Sequence, residues 1–131
     1  MTDGHKPVIL VIDDDPALQK LIVSLLRRGE MESISAMDGQ EARAALSQDP
    51  LPDLVLLDLM LPEVSGIDLL KEFRSHPDLQ QLPIIILSAI ADPEQIREGL
   101  SEGADRYLTK PYLANNLLNT VREVLAHGRR V

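Results

Sequence analysis

Val8-Ile9-Leu10-Val11-Ile12-Asp13-Asp14-Asp15-Pro16 is the stretch whose reading decides the fold. Its apolar, largely β-branched run predicts a strand buried on both faces, the mark of a parallel sheet. Three acids follow directly. Asp15 suits a helix N-cap and Pro16 the first helical position. Leu18, Leu21, Ile22, Leu25 and Leu26 then recur at helical spacing, predicting an amphipathic helix that Gly29 stops.

The same unit returns further along the chain. Leu54-Val55-Leu56-Leu57 is a second apolar strand and ends in Asp58; a loop over Leu59–Ser65 contains Pro62, and a helix runs from Gly66 to about Ser75. Ile84-Ile85-Ile86-Leu87 is a third, ending in Ser88, after which Asp92-Pro93 repeats the cap-plus-proline start of a helix reaching about Glu102. Between the first two units lie a weak strand over Ser33–Ala36, a helix capped by Asp38 and running to about Leu46, and the breaker Pro50-Leu51-Pro52. Arg106–Thr109 is a last short strand, followed by Lys110-Pro111 and a helix with Leu117, Leu118, Val121, Val124 and Leu125 on one face. Strand and helix alternate five times, which predicts an α/β fold with a parallel sheet and helices on both faces. Right-handed crossovers restrict its topology. One domain is expected over residues 1–131, with a core over about 6–126 and no output domain within the chain.

Composition narrows the function. Hydrophobic residues are 44% and charged residues 26%, too apolar for disorder. Phe73, Tyr107 and Tyr112 are the only aromatics, so the core must be aliphatic with Phe73 inside it. The absence of cysteine excludes disulfides and thiolate metal sites. No apolar run spans a bilayer and the N-terminus carries no signal-peptide core, so a cytoplasmic location without membrane attachment is expected. The net charge of −8 argues against direct nucleic-acid binding, which needs a basic patch. The basic pairs Arg27-Arg28 and Arg129-Arg130 fall near helix C-termini, where cations complement the dipole. His5, His76 and His127 are scattered without supporting context and are given surface roles.

Open parallel sheets bind ligands beyond the carboxyl ends of their strands. The residues there are Asp13, Asp14, Asp58, Ser88 and Lys110, far apart in sequence and brought together only by the fold. Three converging carboxylates repel one another unless a cation joins them, and a hard divalent ion with oxygen ligands does so. Mg²⁺ suits a site of few carboxylates, several waters and a phosphate, with Mn²⁺ as a substitute. Asp58 can act as a nucleophile towards phosphorus. Lys110 can pair with Asp58 and then hold a phosphoryl oxygen, and the Ser88 hydroxyl can donate to another. Phosphoryl transfer needs mostly positioning and charge neutralisation, which these groups supply. Each residue alone has a bland explanation as a cap, turn or strand end. Their joint placement at strand ends does not.

With these residues assembled, the chain resembles the receiver domains of response regulators, the CheY-like (flavodoxin-like) superfamily of two-component signal transduction, from about Lys6 to Ala126. The resemblance rests on Val11–Pro16, Asp38-Gly39, Asp53–Pro62 with Gly66, Ser88-Ala89, Gly103-Ala104-Asp105 and Tyr107–Tyr112 taken together. It implies a five-stranded sheet in the order 2-1-3-4-5, with helices 1 and 5 on one face and helices 2 to 4 on the other. Asp58 would accept a phosphoryl group from a histidine kinase or a histidine phosphotransfer protein. Asp14, Asp58 and the Met60 backbone carbonyl would ligate Mg²⁺, with Asp13 assisting through water. Ser88 and Tyr107 would act as switch residues. The face formed by helix 4, strand 5 and helix 5 would change its affinity for a downstream protein target or output domain, and could pair two copies on phosphorylation. A cis Lys110–Pro111 peptide is also implied.

Departures from the family pattern are small: Ser88 where threonine is also usual, Tyr112 for phenylalanine, and Val64-Ser65 before the glycine. Met60 and Ile90 are apolar and each lies two residues beyond a site residue, which suggests a shielded, long-lived aspartyl phosphate. A haloacid-dehalogenase-like phosphohydrolase would carry a second acid where Met60 stands. The chain is therefore read as a phosphoacceptor switch rather than an enzyme. A binding module indifferent to phosphorylation is the other alternative, and the intact acidic set argues against it. No P-loop segment is present.

Overall fold

All five expected strands join one parallel sheet in the order β2-β1-β3-β4-β5. In this computed structural model residues 6–89, 92–109 and 114–129 are described. The strands are β1 (Val8–Ile12), β2 (Glu32–Ala36), β3 (Leu54–Asp58), β4 (Ile84–Ser88) and β5 (Arg106–Thr109). The helices are α1 (Pro16–Arg28), α2 (Gly39–Ala45), α3 (Gly66–Ser75), α4 (Pro93–Ser101) and α5 (Ala114–His127), with a 3-10 turn at Pro77–Leu79.

Side chains alternate across a strand, so each apolar run feeds two cores. Leu10 and Ile12, Val55 and Leu57, and Ile84 and Ile86 face one side, packing against Ala42 and Leu46 at α2, Leu69, Leu70 and Phe73 of α3, and Leu100 of α4. Ile9 and Val11, Leu54 and Leu56, and Ile85 and Leu87 face the other, against Ile22, Leu25 and Leu26 of α1 and Leu117, Val121 and Val124 of α5. Helices 1 and 5 thus share one face and helices 2 to 4 the other, as the resemblance implied.

The helix starts follow local chemistry. The Asp15 carboxylate accepts from the Ala17 and Leu18 amides, Asp38 from Glu41 and Asp92 from Glu94. Ser65, at the end of the expected Leu59–Ser65 loop, caps α3 by accepting from the Asp68 amide. One expectation fails on α1. Leu21 is 50% exposed, while Gln19, outside the predicted stripe, is buried. The face that meets the sheet runs through Gln19, Ile22, Leu25 and Leu26, and Leu21 lies to its side.

Arg129 does more than complement a helix dipole. Its guanidinium donates to Asp105 Oδ1 and to the Gln80 and Gly103 carbonyls. Arg74 approaches the same carboxylate, donating to Asp105 Oδ2 and to the carbonyls of Gly103, Leu79 and Leu82. Asp105 is fully enclosed and also accepts from the Ile84 amide. Burial and the neighbouring Arg129 cation push the Arg74 guanidinium down to about 10, with Asp105 opposing them, so Arg74 stays charged at neutral pH. The cluster ties the start of β4 to the turn before β5 and to the end of α5.

Two further expectations lie outside the described residues: the placement of Lys110 and Ile90, and the cis bond between Lys110 and Pro111. The cis peptide among the described residues is Asp49–Pro50.

Candidate functional site

Sheet register builds the site. Ile12 pairs with Leu57, which sets Asp13 at the level of Asp58 on the neighbouring strand. Asp58 pairs with Leu87, so Ser88 stands one residue beyond it on β4, paired in turn with Thr109. Three separate strand ends therefore converge on one rim, at the carboxyl edge where open α/β sheets bind ligands.

Carboxylate oxygens of Asp13, Asp14 and Asp58 all lie within 4.8 Å of one another. Asp13 and Asp58 are buried and Asp14 is exposed, so the group has a closed floor and an open mouth. Asp13 Oδ1 accepts from the Asp15 amide at 2.9 Å. That bond links the carboxylate to the N-cap turn of α1. Asp58 Oδ1 accepts from the Met60 amide at 3.3 Å, which brings the Met60 peptide against the carboxylate. The Met60 side chain itself is 63% exposed. Ser88 is fully buried. Tyr107 is partly buried and packs against the core on the α4 side of the sheet.

The loop after Asp58 is held by Gly66. Its amide donates to the Leu59 carbonyl, and a Cβ there would meet the Asp58 carbonyl oxygen and the Leu59 Cα at 2.6 Å. Only glycine allows α3 to begin this close to the strand end. Asp13, Asp14 and Asp58, chosen from sequence, are thus brought together, with Ser88 at the adjoining strand end.

The donor set fits a hard cation. Every ligating group in the cluster is a carboxylate oxygen, the chemistry of Mg²⁺, Ca²⁺ or Mn²⁺ rather than of soft metals. Few protein ligands and an open side leave room for water and a further ligand.

The fold and this acidic rim define a doubly wound α/β domain of the receiver type. The chain belongs to the response regulator receiver domain family, whose profile matches residues 9–122. Members of that family are signalling switches of two-component systems rather than conventional enzymes. Among its relatives is the phosphate regulon transcriptional regulatory protein PhoB of Rhizobium meliloti (strain 1021), 38% identical over 123 residues, covering 94% of this chain and 54% of that protein. The DNA-binding response regulator MtrA of Mycolicibacterium smegmatis is 40% identical over 120 residues, covering 92% and 51%. The chain spans about half the length of the curated relatives it matches. Among solved structures, the Francisella response regulator 1452 receiver domain superposes with a TM-score of 0.85 at 34% identity, covering 93% of this chain and 98% of that one. The receiver domain of a signal transduction histidine kinase from Syntrophus aciditrophicus gives 0.84 at 30% identity, covering 95% and 94%. Among the described residues no helix is long and apolar enough to cross a membrane.

Proposed function

We propose that this chain accepts a phosphoryl group on Asp58 in a Mg²⁺-dependent reaction, from the phosphohistidine of a sensor kinase or phosphotransfer protein. The observation that carries this reading is the convergence of Asp13, Asp14 and Asp58 within 4.8 Å at the sheet's carboxyl edge. Asp14, Asp58 and the Met60 carbonyl would hold the ion, with Asp13 assisting through water. When bound, the ion neutralises the acidic rim and stabilises charge on the phosphoryl oxygens.

An Asp58 carboxylate oxygen attacks phosphorus as the P–N bond of a phosphohistidine protonated at its other ring nitrogen breaks; the bonding pair stays on the departing nitrogen and the imidazole leaves neutral. Lys110, the residue that follows β5 in sequence, holds one phosphoryl oxygen and the Ser88 hydroxyl donates to another. Reorientation of Ser88 and Tyr107 then alters the surface of α4, β5 and α5, changing affinity for a target or output domain or for a second copy. Met60 and Ile90, each two residues beyond a site residue, are assigned to limiting water attack on the acyl phosphate. The charge of −8 supports protein partners over direct nucleic-acid contact for this segment and is compatible with a cytoplasmic location. Relatives named as DNA-binding are about twice the matched length.

The test is intact-mass measurement after incubation with phosphoramidate, with Mg²⁺ or with chelator. A single phosphoryl adduct on the wild type, absent from Asp58→Ala and from the chelated sample, is expected. An unlabelled, folded wild type, also refractory to a phosphohistidine donor, would replace this reading with a phosphorylation-independent binding module.

A further inference from the structure

Gln19 is a polar residue on the buried face of α1, among Ile22, Leu25 and Leu26. It is only 5% exposed. Its Nε2 donates to the carbonyls of Val11 at 2.9 Å, Asp13 at 3.0 Å and Ala36 at 3.1 Å. All three partners are acceptors, which fixes the amide orientation. The Oε1 atom is left buried with no partner among the described residues. An orphaned buried acceptor costs stability, so the carbonyl end of this side chain gives no reason for an amide here. The residue is therefore explained by its donor.

That donor acts where the sheet runs out. The β1–β2 register ends at Ile12 and Ala36, and the Asp13 amide makes one further bond to the Ala36 carbonyl. Beyond it, Gln19 holds the carbonyl of Asp13, which belongs to the peptide joining Asp13 to Asp14. Fixing that peptide plane fixes the Cα of Asp14, whose carboxylate is exposed. It also fixes the backbone that carries the Asp13 carboxylate.

We infer that Gln19 is a positioning residue for the acidic site, locking the Asp13–Asp14 peptide so that both carboxylates meet Asp58 in a geometry ready for a divalent cation. The inference rests on the metal-binding reading above. Losing outer-shell support at a metal site typically weakens affinity by about tenfold or more.

The test is Mn²⁺ titration, reading free aqueous ion by electron paramagnetic resonance, well below each variant's melting temperature. Gln19→Met keeps length and apolar fit but removes the donor. Gln19→Asn keeps an amide too short to reach all three carbonyls, and serves if the Met variant does not fold. Ile22→Val, on the same buried face, controls for general loosening of α1. Asp14→Asn reports the metal site itself. Wild type and Ile22→Val should bind alike, while both Gln19 variants weaken by about tenfold. Folded Gln19 variants binding within about twofold of wild type would overturn the inference, since a purely structural role moves melting temperature and not affinity. Wild type failing to bind, or Asp14→Asn binding as well as wild type, would instead overturn the metal-binding reading.

Discussion

Replacing Asp14 by Asn should stabilise the metal-free protein and destroy its response to Mg²⁺. The magnitude follows from the geometry. Asp14 has two carboxylate neighbours, Asp13 and Asp58, with ligating oxygens no more than 4.8 Å away. Two like charges at that separation repel by about 1 kcal/mol at the dielectric of water, and by several times that near a protein surface. Asp14 is exposed, so the lower figure applies to each pair, giving roughly 2 kcal/mol of relief. The Asn side chain is nearly isosteric, so packing barely changes. Urea denaturation in chelator should place Asp14→Asn above wild type by about 1–2 kcal/mol, a gap that shrinks in high salt. Adding Mg²⁺ should reverse the order, because an ion that binds only the folded wild type stabilises it by mass action. If Asp14→Asn is no more stable than wild type in chelator, or gains as much from Mg²⁺, the carboxylates do not form a mutually repelling, cation-ready cluster.

Other perturbations probe the supports of that cluster. Gly66→Ala should cost about 1–3 kcal/mol and slow Asp58 labelling, because its Cβ would stand 2.6 Å from backbone atoms of Asp58 and Leu59 that cannot step aside; combined denaturation and phosphoramidate kinetics check both. Asp105→Ala should destabilise by about 3–5 kcal/mol, since Arg74 and Arg129 would lose their shared buried partner, while metal affinity at the far edge of the sheet stays unchanged. The Glu72 carboxyl is held below its usual value by its hydrogen bond to Arg43, and Glu123 likewise by Arg106. A depressed carboxyl stabilises the fold above its unfolded value and loses that contribution as pH falls through the folded one. Acid unfolding of Glu72→Gln should accordingly show a shallower slope below about pH 4 and little change at neutral pH, because solvent screens the exposed pair.

How legible the molecule is from its sequence depends on the range of the forces involved. Strands read well because Val8–Ile12, Leu54–Leu57 and Ile84–Leu87 are apolar without interruption. The caps Asp15, Asp38 and Asp92 read well because a cap is satisfied within three residues. The three acids of the candidate site could be grouped from sequence because they lie at or just beyond strand ends, and strand ends are where such sheets bind. Gln19 was missed because a polar residue on a helix reads as solvent-facing until its three carbonyl partners are known. Leu21 was placed inward because heptad-like spacing does not fix which edge of a stripe meets the sheet. The Arg74–Asp105–Arg129 cluster was invisible for a different reason. Its partners lie 31 and 24 residues apart, and nothing local marks Arg129 as a buried donor rather than a charged helix end.

Borohydride trapping locates the phosphoryl group chemically. Protein phosphorylated in Mg²⁺ is reduced with borohydride, which converts an aspartyl phosphate to homoserine, and the peptides are sequenced by mass spectrometry. Homoserine at position 58 alone, lost when the metal is chelated, is the predicted result. Homoserine at position 13 or 14, or labelling indifferent to the metal, would contradict the assignment of Asp58 as nucleophile in a cation-dependent acidic site.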